Sequence, residues 1–570
     1  MATALACLLV AASAAASTAT FGVSLRPATQ YDTSHAVAPV APGFVGVSME
    51  YCELLTGVVD RASSGATPAA SPVLANLIAG LAPGQRPVLR IGGDSTDHVN
   101  WSATARAPRR LGRCPFRRYV LGPATVSAIG ALARSLDARL ILGINLKSRR
   151  TSLASVEAAV LSRALGPTPL TGFIDAFEIG NEPDLYSQYR SSSGFDRYLS
   201  DFATWAATAR GGARQPAATV AGPSLGRLGL PWITGANASN WQRFVQSHAR
   251  PRLLTFHTYP LLKNACPGAL CPSIPALMAE GSSHGLAEQL APFVAATPAP
   301  AQVRVDEMNS VTGKGLPGVS DTFASALWSL DTLFELKAAG VSGVNVHTIP
   351  GAPYALFDHL SGDRWVVRPE YYGLLLFGLA SPPGSQLLSA SGNEPGVKVW
   401  ATRPPAGGVR IVIINKDRLR HRIILYGPAA HAHGFTVMWL RGSSKFDAAR
   451  CPAPYVASGM CARAGITLGG RSFGAPARGS VSGDRTVTGT LGAPAPRLEI
   501  GSAHDARPSD DPRPVPELAR HDARAADHVR RDRGGRQRAD HLRDRPGVRR
   551  APAEPGTQAQ PRTCLRPAER

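Results

Sequence analysis

Between residues 41 and 350, short apolar runs rich in β-branched residues alternate with longer stretches of helical periodicity. The runs are GFVGVSME, PVLRIGGDS, LILGINL, FIDAFEIGNEP, LLTFHTYP, VRVDEMNS and VSGVNVHT, and they are separated by segments such as VSAIGALARSLD. Strand and helix in alternation, repeated about eight times, is typical of an α/β fold of the (β/α)8 TIM barrel type. A doubly wound parallel sheet has the same alternation and is the alternative.

The polar residues at the ends of the runs favour the barrel. The residues at these ends are Glu50, Asp94, Asn145, Glu182, His257 and Glu307. In a barrel the carboxyl ends of all the strands meet at one face, and the active site lies there. The pattern therefore predicts a catalytic barrel over residues 41–370 and brings these side chains together.

After about residue 380 the pattern changes to strands without long helices between them. VKVWATRP and VRIVIINKD are examples, and Gly and Pro turns separate such runs. This pattern predicts a C-terminal β-sandwich domain over residues 380–500. We expect residues 22–40 to return to that domain as an edge strand.

Both ends of the chain differ in composition from its body. Residues 1–20 are an apolar run followed by small residues, which predicts a signal peptide cleaved near residues 14–16 and a secreted, extracellular protein. Residues 501–570 contain no Phe, Tyr, Trp, Ile, Met, Asn or Lys. They are predicted to be a disordered tail rich in Arg, Pro and Ala, and the shift also fits a frameshifted reading of a GC-rich gene.

Cysteine usage agrees with export. Apart from Cys7 and Cys564 there are six cysteines, namely Cys52, Cys114, Cys266, Cys271, Cys451 and Cys461. The close spacing of Cys266 with Cys271, and of Cys451 with Cys461, predicts two local disulfides in an oxidising compartment. Buried thiols are the alternative. No spacing of cysteine with histidine suggests zinc, so no metal is expected.

The formal charge of +21 does not point to nucleic acid. Residues 501–570 hold 16 Arg against 11 Asp and Glu, so +16 is spread over the body of the chain. No stretch there combines clustered basic residues with interleaved aromatic ones. We expect no nucleic acid partner, and no membrane span, because no later run reaches about 20 apolar residues.

Two strand ends carry carboxyls suited to glycoside chemistry. FEIGNEPDLY places Glu182 after an apolar strand between Phe and Tyr neighbours, which suits a carboxyl that donates a proton, and Asn181 precedes it. VRVDEMNS places Glu307 at the end of another strand. Asp306 is the rival, and alternation of side chains along a strand favours Glu307. Retaining glycosidases need two such carboxyls about 5–5.5 Å apart.

These motifs together resemble glycoside hydrolase family 79, which contains β-glucuronidases and heparanase-like enzymes. The resemblance covers residues 41–500 and also includes SDTFASALW and VRPEYYGLLLF. It implies a clan A barrel with a β-sandwich and retention of configuration. It also implies a partner that is a glucuronic-acid-containing carbohydrate or glycoconjugate, with the sugar or its 4-O-methyl ether before the scissile bond.

The resemblance also implies residue roles. It makes Glu182 the acid/base and Glu307 the nucleophile, with Asn181 at the 2-hydroxyl. His257 and Tyr259 line the pocket, and Tyr259 bonds the nucleophile. The other predicted substrate contacts are Glu50, Asp94, Asp97 and Asn145, with Tyr354 of the GAPY segment at the substrate carboxylate. Capping is the alternative for Glu50, Asp94 and Asp97, and a buried structural role for His257.

The predicted function is therefore that of a retaining, exo-acting β-glucuronidase that requires no cofactor. Exo action is favoured because no pair of basic clusters flanks the site loops. One alternative is a clan A retaining enzyme on a neutral sugar, which would keep both glutamates. Another is a non-catalytic carbohydrate-binding surface protein, which would have no use for two mutually repelling carboxylates.

Overall fold

The computed structural model describes most of the chain between residues 17 and 500. The described residues are 17–29, 36–54, 59–60, 69–105, 119–166, 172–226, 232–361, 364–392, 396–417, 421–426, 435–443, 451, 455, 459–473, 487–489 and 497–500. The predicted tail 501–570, most of the predicted signal peptide 1–20, and Cys114 lie outside these residues.

Strands are numbered in chain order. The first thirteen are β1 (Ser17–Pro27), β2 (Val45–Glu50), β3 (Val59–Asp60), β4 (Ala69–Ala70), β5 (Val88–Gly92), β6 (Val99–Trp101), β7 (Tyr119–Leu121), β8 (Arg139–Ile144), β9 (Ile174–Ile179), β10 (Val220–Leu225), β11 (Leu253–Thr258), β12 (Gln302–Met308) and β13 (Val344–His347). The others are β14 (Phe357–Ser361), β15 (Arg364–Val367), β16 (Gln386–Ser391), β17 (Val397–Arg403), β18 (Arg410–Asn415), β19 (His421–Tyr426), β20 (Phe435–Val437), β21 (Leu440–Arg441), β22 (Thr467–Leu468), β23 (Val487–Gly489) and β24 (Arg497–Ile500).

The helices lie between the barrel strands and after them. The α-helices are α1 (Pro72–Leu81), α2 (Pro123–Leu136), α3 (Thr151–Leu165), α4 (Gly194–Ala213), α5 (Ser239–Val245), α6 (Ile274–Met278), α7 (His284–Ala295), α8 (Phe323–Ala338) and α9 (Pro369–Ala380). Short 3-10 helices span Tyr51–Glu53, Gly93–His98, Pro183–Leu185, Ser187–Tyr189, Gly235–Asn237 and Glu280–Ser282. Within the described residues, no helix is both long and apolar enough to cross a membrane.

Eight strands form a closed parallel barrel, as the sequence predicts. Their order around the barrel is β2, β5, β8, β9, β10, β11, β12 and β13, and each strand pairs in parallel with the next. Chain order and barrel order coincide, which excludes the doubly wound sheet. The carboxyl ends of all eight strands thus lie on one face of the barrel.

The burial of these segments explains why they form the barrel. The strand residues are almost entirely buried, because the sheet is covered by helices outside and filled by side chains inside. One internal cluster combines Val88, Ile141, Ala176 and Ala221 from four neighbouring strands. The helices turn apolar faces inward, and α8 and α9 pack against each other through buried Phe334 and Phe377.

The second domain contains a six-stranded sheet in the order β18, β17, β16, β1, β19, β24. The expectation of an edge strand near residues 22–40 is wrong, because β1 lies inside the sheet between β16 and β19. Its side chains Phe21 and Val23 join the core of that sheet. The strand begins at Ser17, so cleavage near residues 14–16 would leave it intact.

Both local disulfides are formed as predicted. Cys266 and Cys271 are joined across five positions, and Cys451 and Cys461 across ten. Cys52 is also disulfide-bonded. The first disulfide closes the loop after β11, which lies on the face where the strands end.

Candidate active site

The two predicted catalytic glutamates meet at the carboxyl face of the barrel. Glu182 follows β9, the fourth barrel strand, and Glu307 lies near the end of β12, the seventh. A carboxylate oxygen of each lies within 4.8 Å of the other and of a ring nitrogen of His257. Residues 125 positions apart in the chain are therefore neighbours in the fold.

Glu182 is held by its backbone and by one histidine. Its backbone is in the left-handed region, with a φ of 49°, which is uncommon for a residue other than glycine. Its N–H donates to the carbonyl of Ser224 at the end of β10, at 3.0 Å. Its Oε1 lies 3.0 Å from Nδ1 of His257, which donates to it. The side chain keeps 22% of its surface exposed, so a substrate can reach it.

A glycine leaves room for that carboxyl. A Cβ placed on Gly226 would lie 2.7 Å from Cδ of Glu182 and 2.9 Å from its Cγ. The N–H of Gly226 donates to Oδ1 of Asp184 at 2.8 Å, which fixes the glycine beside the carboxyl. The loop after β10 thus forms one wall of the Glu182 site.

Glu307 is buried among hydrogen-bond donors. The phenol of Tyr259 donates to its Oε1 at 2.7 Å, and Nη1 of Arg90 donates to its Oε2 at 2.5 Å. Ring nitrogens of His257 and His347 each lie 3.9 Å from Oε2.

These neighbours keep Glu307 ionised. Burial by itself would raise the pKa of Glu307, but the histidines, Arg90 and the phenol hydrogen bond outweigh burial and hold the pKa well below its usual range. Burial lowers the pKa of His347, which leaves that ring neutral near pH 7, whereas Glu307 and the hydrogen bond with Glu182 outweigh burial and raise the pKa of His257 to about 10, so the charged neighbours of Glu307 are Arg90 and His257. An ionised carboxylate is the state that a nucleophile requires.

Arg90 is the centre of the site, and the sequence analysis did not identify it. It lies in β5 with no exposed surface. Besides Glu307, its guanidinium donates to Glu178 Oε2 at 2.7 Å, to Asn181 Oδ1 at 2.9 Å and to Ser48 Oγ at 3.3 Å. A charged residue within the apolar run PVLRIGG was the signal available in the sequence.

Asn181 is fixed from both sides. Its Oδ1 accepts from Arg90, and its Nδ2 lies 3.4 Å from Oδ1 of Asp94, which is exposed. Its backbone N–H donates to the phenol oxygen of Tyr186 at 3.0 Å, and that phenol donates to Asp97. Asn181 and Asp94 therefore lie at the site, whereas Asp97 acts on it through Tyr186.

The contacts of Asp97 and Glu50 match the capping alternative. Asp97 is 8% exposed, and its second oxygen accepts from Lys147 at 3.3 Å. Glu50 is 2% exposed, and its two oxygens accept the N–H groups of Asp94 and Ser95 at 3.0 and 2.7 Å. Burial and the nearby Asp94 raise the pKa of Glu50 to about 8. Both carboxyls shape the loop after β5.

Asn145 is also occupied, by Val99 of β6 and by its own loop. Its Nδ2 donates to Val99 O at 2.9 Å, and its Oδ1 accepts the N–H of Ser148 at 2.9 Å. Asn145 is 2% exposed. Its side chain therefore holds the loop after β8, and both ends have protein partners.

Tyr354 lies beside the nucleophile candidate. Its ring centroid is 6.4 Å from that of Tyr259 and 5.9 Å from that of His347. Burial, and then Glu307 and other carboxyls, raise its pKa well above its usual value, so its phenol stays protonated. The N–H of Gly351 donates to Asp358 at 2.7 Å and that of Ala352 to Ile349 O, so those two amides have partners.

Further buried ionisable groups surround the pair, and of these the sequence predicted a role only for Asp306, as the rival nucleophile. Glu178, Asp306 and His347 lie within or at the ends of barrel strands and are almost fully buried. Two sets of side chains of metal-ligand type lie within 4.8 Å, namely Glu178, His257 and Asp306, and Glu182, His257 and Glu307. Arg90 donates to one carboxylate of each set, so a fixed guanidinium already occupies one oxygen in each.

Comparisons with known proteins agree with this geometry. No family model matches the chain. A β-glucuronidase of Neurospora crassa is 24% identical over 432 residues, which cover 66% of this chain and 72% of that protein.

Solved structures share the fold. A 4-O-α-L-rhamnosyl-β-D-glucuronidase from Fusarium oxysporum has a TM-score of 0.65 at 19% identity, covering 85% of this chain and 98% of its own. A GH51 arabinofuranosidase from Xanthomonas axonopodis has a TM-score of 0.54 at 15% identity, covering 83% and 97%. The barrel, its paired glutamates and the sequence relative together identify this protein as a glycoside hydrolase.

Proposed function

We propose that the protein is a retaining, exo-acting β-glucuronidase that hydrolyses β-linked glucuronides or 4-O-methylglucuronides through a covalent glycosyl-enzyme. The observation that carries the mechanism is the spacing of Glu182 and Glu307, whose carboxylate oxygens lie within 4.8 Å. Retaining enzymes place their carboxyls about 5–5.5 Å apart, whereas inverting enzymes leave about 6.5–9.5 Å for a water molecule.

The two glutamates have environments suited to different roles. Glu307 is buried and hydrogen-bonded to Arg90 and Tyr259, so it is ionised and held in one orientation, as a nucleophile must be. Glu182 is more exposed, and within the described part of the chain its carboxyl is hydrogen-bonded to His257 alone, which leaves its other oxygen free for the leaving group. This division supports Glu182 as acid/base and Glu307 as nucleophile.

In the first step Glu182 donates its proton to the glycosidic oxygen while Glu307 attacks the anomeric carbon, and the aglycone leaves. In the second step Glu182, now ionised, removes a proton from water, and the water oxygen displaces Glu307. Asn181, held by Arg90, lies next to Glu182 and is the residue we assign to the 2-hydroxyl. No cofactor takes part.

The glucuronide assignment rests on the relatives. The Neurospora crassa relative is a β-glucuronidase, and the structural neighbour with the higher TM-score acts on a glucuronide. A glucuronide carboxylate needs a donor, and we assign this role to the protonated phenol of Tyr354. We further propose membership of glycoside hydrolase family 79.

Secretion is also part of the proposal. The local disulfides suit an oxidising compartment, and the apolar residues 1–20 suit a signal peptide. Expression of the full gene in its host, followed by N-terminal sequencing of protein from the medium, tests this. A mature chain beginning near residue 17 is expected, and an intact Met1 found only inside cells would contradict it.

Hydrolysis of p-nitrophenyl β-D-glucuronide, beside the matching β-glucoside and β-xyloside, tests the substrate. We expect release from the glucuronide at least about a hundredfold faster, which corresponds to about 2.7 kcal/mol of discrimination at the sugar carboxylate. Glu307→Gln should abolish release, and Glu288→Gln, an exposed glutamate on α7, is the matched control. Preference for a neutral sugar would overturn the glucuronide assignment.

Exo action is tested on an oligosaccharide ending in β-linked glucuronic acid. The monosaccharide should be the first and only small product, and release of internal fragments would contradict exo action.

A further inference from the structure

A pair of carboxyls lies beneath the two glutamates of the active site. Glu178 is in β9 and Asp306 is in β12, and neither has any exposed surface. Oε1 of Glu178 and both oxygens of Asp306 have no hydrogen-bond partner among the described residues, so a hydrogen bond between the two carboxyls would satisfy an oxygen of each. One oxygen of each lies within 4.8 Å of the other and of a ring nitrogen of His257. Two ionised carboxylates cannot make such a bond, because neither has a proton to donate.

Arg90 already donates to one member of this pair and to the nucleophile. Arg90 donates through Nε to Glu178 at 2.7 Å and through Nη1 to Glu307 at 2.5 Å. Among the described residues, no cation donates a hydrogen bond to Asp306, and the nearest nitrogen of His257, Nε2, is 3.7 Å away. The pKa of His257 is raised to about 10, but its Nδ1 lies at Glu182 and its Nε2 is beyond hydrogen-bond distance, so an ionised Asp306 would be a buried charge with no hydrogen-bonded cation, which is costly.

We propose that Asp306 is a protonated carboxylic acid in the working enzyme, and that it donates its proton in a hydrogen bond to ionised Glu178. The resulting pair holds one negative charge and keeps Arg90 between Glu178 and Glu307. Asp306 is thus a positioning residue for the nucleophile, acting through Glu178 and Arg90.

The surrounding groups place the proton on Asp306 rather than on Glu178. The charged and titratable side chains that face Asp306 are Arg90 from β5, Glu178 from β9, His257 from β11 and Arg304 from β12 itself. Burial, and then the charge and hydrogen bond of Glu178, raise the pKa of Asp306 well above its usual value. For Glu178, burial is outweighed by Arg90 and by the bond from Asp306, so its pKa is lowered.

The proton on Asp306 affects how strongly Arg90 interacts with the nucleophile Glu307. If Asp306 lost it, two carboxylates on this side would compete with Glu307 for the single guanidinium. Glu307 would then lose part of the interaction that holds its pKa low and fixes its Oε2. The neutral acid avoids this competition, because it offers a donor rather than a second negative charge.

The pH dependence of thermal stability tests the proposal without any substrate. A protonated Asp306 binds a proton that the unfolded chain releases above about pH 4, so its stabilising contribution falls as the pH rises. Asp306→Asn, an amide that is always neutral, escapes this loss. Its melting temperature relative to wild type should therefore rise by roughly 4 °C or more between pH 5 and pH 8.

Asp331→Asn is the matched control in the full-length protein. Asp331 is equally buried, but Lys416 and Lys398 outweigh burial and lower its pKa. It is ionised in both the folded and the unfolded chain over this range, so its difference from wild type should not change with pH. If the melting temperature of Asp306→Asn relative to wild type is also constant with pH, or falls as the pH rises, the proposal is overturned.

If Asp306→Asn does not fold, infrared spectroscopy of the wild-type protein still tests whether Asp306 is protonated. At pH 9, above the pKa of about 7 of Asp97 and Asp184, an infrared band of a carboxylic acid should remain. That band should shift when aspartate is labelled with ¹³C at its carboxyl. A spectrum without such a band would overturn the proposal.

Kinetics then test the positioning role, which rests on the proposed function. With a glucuronide substrate, Asp306→Asn should retain kcat within about threefold, whereas Asp306→Ala, which lacks the donor, should lose at least about tenfold in kcat with little change in KM. Equal losses in both variants would contradict the role of the donated hydrogen bond. If the wild type hydrolyses no glucuronide, the proposed function fails, and the stability measurement still decides the protonation of Asp306.

Discussion

At the scale of single residues, the chemistry of the site depends on how one buried guanidinium is shared. Arg90 donates hydrogen bonds to Glu178, Asn181 and Glu307. It therefore connects the nucleophile Glu307 to Asn181, the residue that precedes the acid/base Glu182. The planar fork of arginine can serve three separate acceptors, whereas the ammonium of lysine acts as a point charge. The identity of this side chain therefore matters as well as its charge.

The phenol of Tyr259 should contribute to both the rate and its pH dependence. Tyr259→Phe removes a hydrogen bond to an ionised group, worth about 1.5–3 kcal/mol, and should lower kcat by about tenfold to a hundredfold. Because that bond helps to keep the pKa of Glu307 low, its loss raises that pKa. The acid limb of kcat/KM should then move to higher pH.

Tyr189→Phe is the control for this prediction. It makes the same chemical change at a phenol that donates to Asp201 on α4, at 2.8 Å. Kinetics of both variants between pH 3 and pH 8 check the prediction. An unchanged rate and an unchanged acid limb in Tyr259→Phe would show that the bond to Glu307 has no catalytic effect.

Sequence reasoning found the reacting pair because each glutamate ends an apolar strand within a distinctive motif. It left capping open for Glu50, which binds the loop after β5, and it did not anticipate that Asn145 would be occupied by protein partners. Position at a strand end predicts proximity to the site, but it does not reveal which backbone N–H groups lack partners. Those groups must be satisfied when they are buried, and the demand appears only once the loop is folded.

At the scale of elements, strand ends and loops set the positions of the reacting groups. Phe256 pairs with Val305 and His257 with Glu307, so Asp306 is an extra residue in β12. Such a bulge redirects the side chains next to it. Simple alternation along the strand, which favoured Glu307 over Asp306, therefore does not describe this strand. The contacts with Tyr259 and Arg90 are what distinguish Glu307.

Gly226 at the end of β10 tests the importance of this positioning. Gly226→Ala would place a Cβ 2.7 Å from Cδ of Glu182, and the carboxyl must move. A shift of about 1 Å in a catalytic group can cost about a hundredfold in rate, so we expect kcat to fall by at least about tenfold. Steady-state kinetics and a melting curve on the same sample measure the effect.

Gly211→Ala on α4 is the control, because a Cβ there meets nothing within 4 Å. It should keep full activity and gain about 0.5–1 kcal/mol in stability. Full activity in Gly226→Ala would mean that Glu182 has more freedom than its contacts indicate.

The arrangement of strands was predictable to different degrees in the two domains. In the barrel, local periodicity and chain order fix the neighbours, because each βα unit places its strand beside the previous one. In the second domain β1 pairs with β16 and β19, about 370 and 400 residues later in the chain. No local pattern encodes such a pairing, so β1 was predicted at an edge and lies inside the sheet.

At the scale of the whole molecule, a buried ion network joins the barrel to the second domain. Asp331 on α8 accepts from Lys416 at 2.9 Å, and Glu335 on the same helix accepts from Lys398 at 2.8 Å. Trp400 of β17 donates to Asp331 at 3.0 Å. Lys398 lies in β17 and Lys416 directly follows β18 of the six-stranded sheet, whereas the two carboxylates lie on α8 of the barrel. The network therefore fixes one domain on the other.

Breaking that network should destabilise the protein strongly. Asp331→Asn leaves two buried ammonium groups with one carboxylate fewer, and we expect a loss of about 3–5 kcal/mol in the free energy of unfolding. Asp196→Asn breaks an exposed pair with Arg243 and should cost less than about 1 kcal/mol. Urea unfolding at pH 7 compares them, and a loss for Asp331→Asn as small as for Asp196→Asn would contradict a structural role for the network.

In the proposed mechanism Glu307 attacks a glucuronide and carries it as a covalent intermediate. The most direct measurement is mass spectrometry of the protein after incubation with a 2-deoxy-2-fluoro-β-D-glucuronyl fluoride, which slows release of the intermediate. We predict a mass increase of one fluorinated glucuronyl group, located on the peptide that contains Glu307 and absent from Glu307→Gln. A label on another residue, or glucuronide hydrolysis with inverted configuration and no label, would contradict the proposed role of Glu307.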